Sequence, residues 1–215
     1  MTTQEDKIKE KLEEAIKLIG PERDNWLERP IYDFLHRYGP MLCIDVVLIP
    51  LEDKPSVILG KRNNQGVAPG EWWIFGGRAD KSVNYQKIAK EKVKKEIGID
   101  INIVQEDFLG FATIVFKPNN KEDNLRNYNV STPNLCFAKQ IKIDEKSINA
   151  SDGHSTWKKF HSIDESWPPY VIHAVASAWK RFYPKEWNKN LSPKVKKILS
   201  DNSIFIHLNY EKLVP

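Results

Sequence analysis

The sequence is poor in sulfur and has no long apolar run. Its two cysteines, Cys43 and Cys136, each sit inside an apolar stretch, with no CxxC pair and no cysteine–histidine cluster. That pattern argues against a disulfide scaffold or a sulfur-ligated metal and for two core thiols. No stretch approaches the ~18 apolar residues that a membrane-spanning helix requires. The start, MTTQEDKIKEKLEE, is charged from its fifth residue and does not read as a secretory signal. A soluble, cytoplasmic protein with no membrane partner is therefore expected. Internal repeats and low-complexity segments are lacking too, which argues against a solenoid. Charge of one sign is scarce: 33 Lys and Arg against 29 Asp and Glu leave a formal charge of +4 over 215 residues. Spread through the chain, that excess suits an anionic small molecule as well as nucleic acid and decides between neither. With 40% hydrophobic residues the chain can bury one good-sized core.

Several segments carry clear periodicities. Residues 4–19 place Ile8, Leu12, Ile16 and Ile19 at helical spacing ahead of Gly20-Pro21, which predicts a packing helix. A short helix is expected over 31–36. MLCIDVVLIP (41–50) and SVILGKR (56–62) read as strands, WWIF (72–75) as a short strand, and 81–98 as a helix with Ile88, Val93 and Ile97 toward a core. DINIVQEDFLGFATIVF (100–116) predicts one or two strands, NLCFAKQIKI (134–143) another, and WKKF (157–160) a last short one. PPYVIHAVASAWKRF (168–182) is a helix with proline at its start. The polar stretch 117–133 reads as a surface loop. No partner is evident for the tail from Pro184.

One stretch, FGGRADKSVNYQKIAKEKVKKEIGI (75–99), resembles the Nudix box: Gly, five residues, Glu, seven residues, then Arg-Glu-apolar-x-Glu-Glu-x-Gly-apolar. The spacing from Gly77 to Gly98 and Ile99 is kept. Four polar positions depart from it: Val83 and Glu91 replace the first Glu and the Arg, and Lys92 and Lys95 replace two late glutamates. Glu96 remains. The preceding segment, ILGKRNNQGVAPGEWWIFGGR, is similar to the one leading into the box of GDP-mannose mannosyl hydrolases, a divergent Nudix branch. The resemblance runs from Asp45 to GHSTWKKF and covers residues 31–180. It implies an α/β/α sandwich around a mixed central sheet, with helical additions at both ends, divided as 1–30, 31–183 and 184–215.

The resemblance also implies roles. Arg62 and Arg78 would hold the diphosphate leaving group, for which guanidinium forks are suited. His154 would be the general base, and Asp45 would contact the sugar. Trp73 and Tyr128 are candidates to stack on a base, as is Trp72. Mg²⁺ or Mn²⁺ is expected at Glu96 and Gly77. The second side-chain ligand of the branch falls at Gly153, which has none, leaving Asp152 next door as a substitute. Against a metal, Lys92 stands one helical turn from Glu96. Either lysine, 92 or 95, would otherwise supply positive charge to the diphosphate directly. A plain reading of the helix pairs Glu91 with Lys95 and Lys92 with Glu96 on a solvated surface.

The reaction implied is attack of water at the anomeric carbon of a GDP-mannose-like nucleotide sugar, releasing GDP and free sugar. Two alternatives stay open: a pyrophosphohydrolase cutting between phosphates, and a catalytically silent nucleotide- or RNA-binding module. The expected partner is a nucleotide sugar rather than nucleic acid, and the added termini suit a homodimer.

Overall fold

A computed structural model describes residues 3–19, 39–63, 68–79, 84–116, 130–151 and 153–205. The chain divides into two compact units, 1–34 and 35–215. In the first, α1 (Gln4–Ile19) starts on a reciprocal cap. The Asp6 carboxylate accepts the Thr3 N–H (2.8 Å), and the Thr3 hydroxyl accepts the Asp6 N–H (3.1 Å). Ile8 and Leu12, half of the stripe expected to pack, are exposed. The helix expected over 31–36 lies outside the described residues.

The second unit is built on β1 (Cys43–Pro50), β2 (Val57–Arg62), β3 (Trp72–Trp73), β4 (Phe75–Arg78), α2 (Tyr85–Ile97), β5 (Phe108–Phe116), β6 (Val130–Ile141), β7 (His154–Phe160), α3 (Pro169–Phe182) and α4 (Pro193–Leu199). Strand β1 is the axis. It runs parallel to β6 and antiparallel to β2 and β4, and β6 in turn carries β5 antiparallel. Strand β2 carries β3 and β7. The sheet is thus mixed, as expected.

Alternation along β1 explains the layering. Ile44, Val46 and Leu48 join the core under α2, while Val47 and Ile49 join the core under α3. Both faces are buried, so the strand reads as a continuous apolar run with one exception, Asp45. The stretch WWIF, expected as one strand, is two. Trp72 and Trp73 pair with β2, and after Ile74 the chain crosses to pair with β1. Of the 100–116 segment only Phe108–Phe116 is a strand.

Helix α3 is buried almost all round from Tyr170 to Trp179. The sheet covers one side, and the tail supplies much of the rest. Val195 and Phe205 belong to the same core, and His173 Nε2 lies 2.9 Å from the Ile198 carbonyl. The partner of the tail is therefore α3.

Candidate functional site

Helix α2 begins where the Asn84 side chain accepts the Lys87 N–H (2.9 Å) and ends at Gly98, whose φ of 77° is left-handed. Between these caps Ile88, Ala89, Val93, Glu96 and Ile97 face the sheet. A wholly solvated helix is thereby corrected. Its outer face does carry ion pairs: Lys87 with Glu91 (3.8 Å), and Lys90 and Lys94 with Asp100 (2.8 and 3.4 Å).

Glu96 turns inward and is 3% exposed. Its Oε2 accepts the Gly76 N–H at 2.8 Å and stands 3.9 Å from His154 Nε2. This bond ties the Gly76-Gly77-Arg78 turn to the helix. Gly76 has a φ of 150°, and a Cβ there would collide with the Ile44 carbonyl and lie 2.5 Å from Asp45 Oδ1. Only glycine fits. Its backbone is wedged between two buried carboxylates, Glu96 on its N–H and Asp45 against its Cα.

His154 is brought to Glu96 by the end of α2. The terminal carbonyls of a helix lack partners within it. Here Ser151 Oγ donates to the Lys95 carbonyl (2.7 Å), Ser151 N–H to that of Glu96 (2.8 Å) and Asn149 N–H to that of Ile97 (3.1 Å). The chain leaves this anchor into β7, where His154 pairs across with Arg62 at an irregularity in the ladder. The imidazole lies over Gly60, where an added Cβ would come within 2.5 Å of Nδ1, and packs 5.3 Å from the Phe75 ring. The histidine side chain has no solvent exposure.

Asp45 opens on the α3 side. Its Oδ2 accepts from the Tyr170 hydroxyl (2.7 Å) and from Asn134 Nδ2. Burial pushes its carboxyl up to about 6, against the two hydrogen bonds and the Arg62 guanidinium, which hold it down. Trp73 is 6% exposed and packs against Phe116 and Tyr170 at 5.7 and 5.8 Å. Trp72, half-buried, meets Phe160 edge-on at 5.0 Å.

The start of β1 gathers cations. Cys43 is half-buried, and burial, with Asp45 beside it, pushes its thiol up to about 12. Lys92, Arg62 and Arg78 act on that thiol in the opposite direction. Arg78 is the register partner of Cys43 in β4. Both cysteines are free thiols, and Cys136 is fully buried.

Of the residues singled out in the sequence, Glu96, His154, Arg62, Gly77, Arg78 and Asp45 are gathered around Gly76. Trp73 is in the core beside them. Tyr128, Val83 and Asp152 lie outside the described residues. Gly153, with φ of 112°, accepts the Asn63 N–H through its carbonyl (2.9 Å). Sequence reasoning missed Gly60, Tyr170, Asn134 and Ser151. Asn134 carried the same signal as Asp45, a polar residue in an apolar strand.

No protein-family profile matches the chain. The Low-salt glycan biosynthesis protein Agl8 of Haloferax volcanii is similar to it, with 26% identity over 133 residues, 61% of this chain and 78% of that protein. Among solved structures, the MutT protein of Methanosarcina mazei has 17% identity and a TM-score of 0.43 over 56% of this chain and 77% of its own. The NUDIX domain of Shewanella oneidensis NrtR, complexed with ADP ribose, has 16% identity and a TM-score of 0.45 over 72% and 99%. Neither structure tells what this chain acts on. No helix among the described residues is long and apolar enough to cross a membrane.

The resemblance implies a divalent ion. Mg²⁺ and Mn²⁺ take oxygen ligands, several of them anionic. Among the described residues no group of three or more His, Cys, Asp or Glu side chains is placed to hold one. Glu96 spends an oxygen on Gly76, Lys92 stands one turn away, and Gly77 could offer only its neutral backbone carbonyl. These residues do not fit a cation held by protein carboxylates.

Proposed function

We propose that the chain is a Nudix-type hydrolase of a nucleoside diphosphate derivative, and that its substrate is a nucleotide sugar. The observation that carries this reading is the Gly76 to Glu96 hydrogen bond. It fixes the Gly-Gly-Arg turn on the helix, with Arg78 paired to Cys43 at the start of β1, where Arg62 and Lys92 also act electrostatically, a cationic mouth matched to a diphosphate. The glycan-biosynthesis role in the name of the Haloferax relative supports a sugar-bearing substrate.

In this reading the arginines take the charge that builds on the diphosphate as the bond from the anomeric carbon to its oxygen breaks. Water adds to that carbon, and its proton passes to His154 Nε2, facing Glu96, whose carboxylate offsets the imidazolium. GDP and free sugar leave. Asp45 lies across Gly76 from Glu96, with its Oδ1 packed against that glycine.

One observation favours a second reading. The His154 side chain is wholly enclosed by Gly60, Phe75 and Glu96, which suits a structural role in a catalytically silent nucleotide-binding module. Incubation with a panel of nucleotide sugars separates the readings. Free sugar plus nucleoside diphosphate supports the first, nucleoside monophosphate plus sugar phosphate a cut between phosphates, and binding without product the silent module.

A further inference from the structure

One turn before Glu96 on α2 stands a half-buried lysine, Lys92. Lys92 precedes Glu96 by one helical turn, so the two side chains emerge on the same face. Glu96 touches Gly76, two residues before Arg78, and Arg78 is paired with Cys43. Lys92 is half-buried where Lys94, two residues on, is exposed and paired with Asp100. The helix therefore directs Lys92 alone of these two toward the turn. Arg62 reaches the same end of β1 from the end of β2, where it also faces Asp45. Two buried carboxylates are present among the described residues, and each already accepts hydrogen bonds: Glu96 from Gly76, and Asp45 from Tyr170 and Asn134.

We infer that Lys92, with Arg62 and Arg78, makes this a diphosphate-binding site that works without a divalent cation, the lysine standing where a metal bridge would be needed. The inference rests on the diphosphate reading of the site under the proposed function and adds how the anion is held. A diphosphate carries two to three negative charges, and two guanidinium forks plus one ammonium balance them directly. An ammonium offers three donors but no fixed coordination geometry, so binding should be strongly weakened by salt. A carboxylate at position 92 would reverse this, adding an anion beside Glu96 and restoring the need for a metal.

The test is calorimetric titration of the full chain with GDP and, separately, with inorganic pyrophosphate, in EDTA and in Mg²⁺. Both anions, or pyrophosphate alone, should bind in EDTA, with little gain from Mg²⁺. Lys92→Met should weaken binding about ten- to a hundredfold, the range of a lost charge-assisted contact. Lys94→Met removes the same charge from the outer face and should change it little. Lys92→Glu should bind only when Mg²⁺ is added. Circular dichroism melts of each variant confirm that it is folded. Binding by the wild type only in Mg²⁺, no binding of either anion in EDTA, or equal losses from Lys92→Met and Lys94→Met would overturn the inference. Turnover is a separate readout. Metal-free binding without hydrolysis would sink the enzymatic reading and leave this one standing, and hydrolysis together with anion binding seen only in Mg²⁺ would do the reverse.

Discussion

Asp45 is the residue at which strand and site most conflict. A carboxylate inside a strand buried on both faces is costly to ionise, and its two hydrogen bonds offset only part of that cost. Its ordinary value is 3.8 and its value in the fold is about 6. The folded chain therefore holds the proton more tightly than the unfolded chain. Stability from this group is complete below about pH 4 and is lost as the pH rises through about 6, on the order of 3 kcal/mol in all. Arg62, Tyr170 and Cys136 face it from the neighbouring elements, and Cys43 lies two residues away on its own strand. Asp45→Asn removes the ionisation while leaving an oxygen to accept from Tyr170 and Asn134. Urea unfolding between pH 4 and 8 should show the wild type losing stability relative to the variant as the pH rises, and parallel profiles would refute the assignment.

At the scale of elements, α2 and the β4 turn are joined through Glu96. Replacing it by alanine leaves the buried Gly76 N–H without its acceptor, a loss of about 1–3 kcal/mol. Glu96→Gln keeps an amide oxygen in place and should lose less than about 1 kcal/mol. Denaturant unfolding distinguishes these, and no loss on Glu96→Ala would show that the tie contributes nothing to stability. The sequence made α2 legible because its apolar spacing and its terminal Gly98 are local signals. It made the cationic mouth legible through Gly-Gly-Arg and the kept spacing. What Glu96 does was not legible. Its hydrogen bond to Gly76 spans 20 residues, and its neighbour His154 arrives only because Ser151 and Asn149 cap a helix more than 50 residues earlier. The division of WWIF into two strands was equally hidden, since periodicity cannot say which neighbour a strand pairs with.

For the molecule as a whole, α3 is the element that both the sheet and the tail need. The sequence offered the tail no partner because its apolar residues, Val195 and Phe205 among them, are too sparse to form a pattern. Each contributes about 1.5–3 kcal/mol by burial, against a typical total of 5–15 kcal/mol for a domain. A chain ending at Tyr183 should therefore melt at a clearly lower temperature in scanning calorimetry, and an unchanged transition would show that residues 184–215 are dispensable to the core.

Where the substrate bond is cut separates the proposed hydrolysis from its alternatives. Turnover of GDP-mannose in ¹⁸O-labelled water, followed by mass spectrometry of both products, reads that bond directly. Label in the free sugar, with none in GDP, is the predicted result and fixes attack at the anomeric carbon. Label in a phosphate, or no turnover across the nucleotide-sugar panel despite binding, would contradict it.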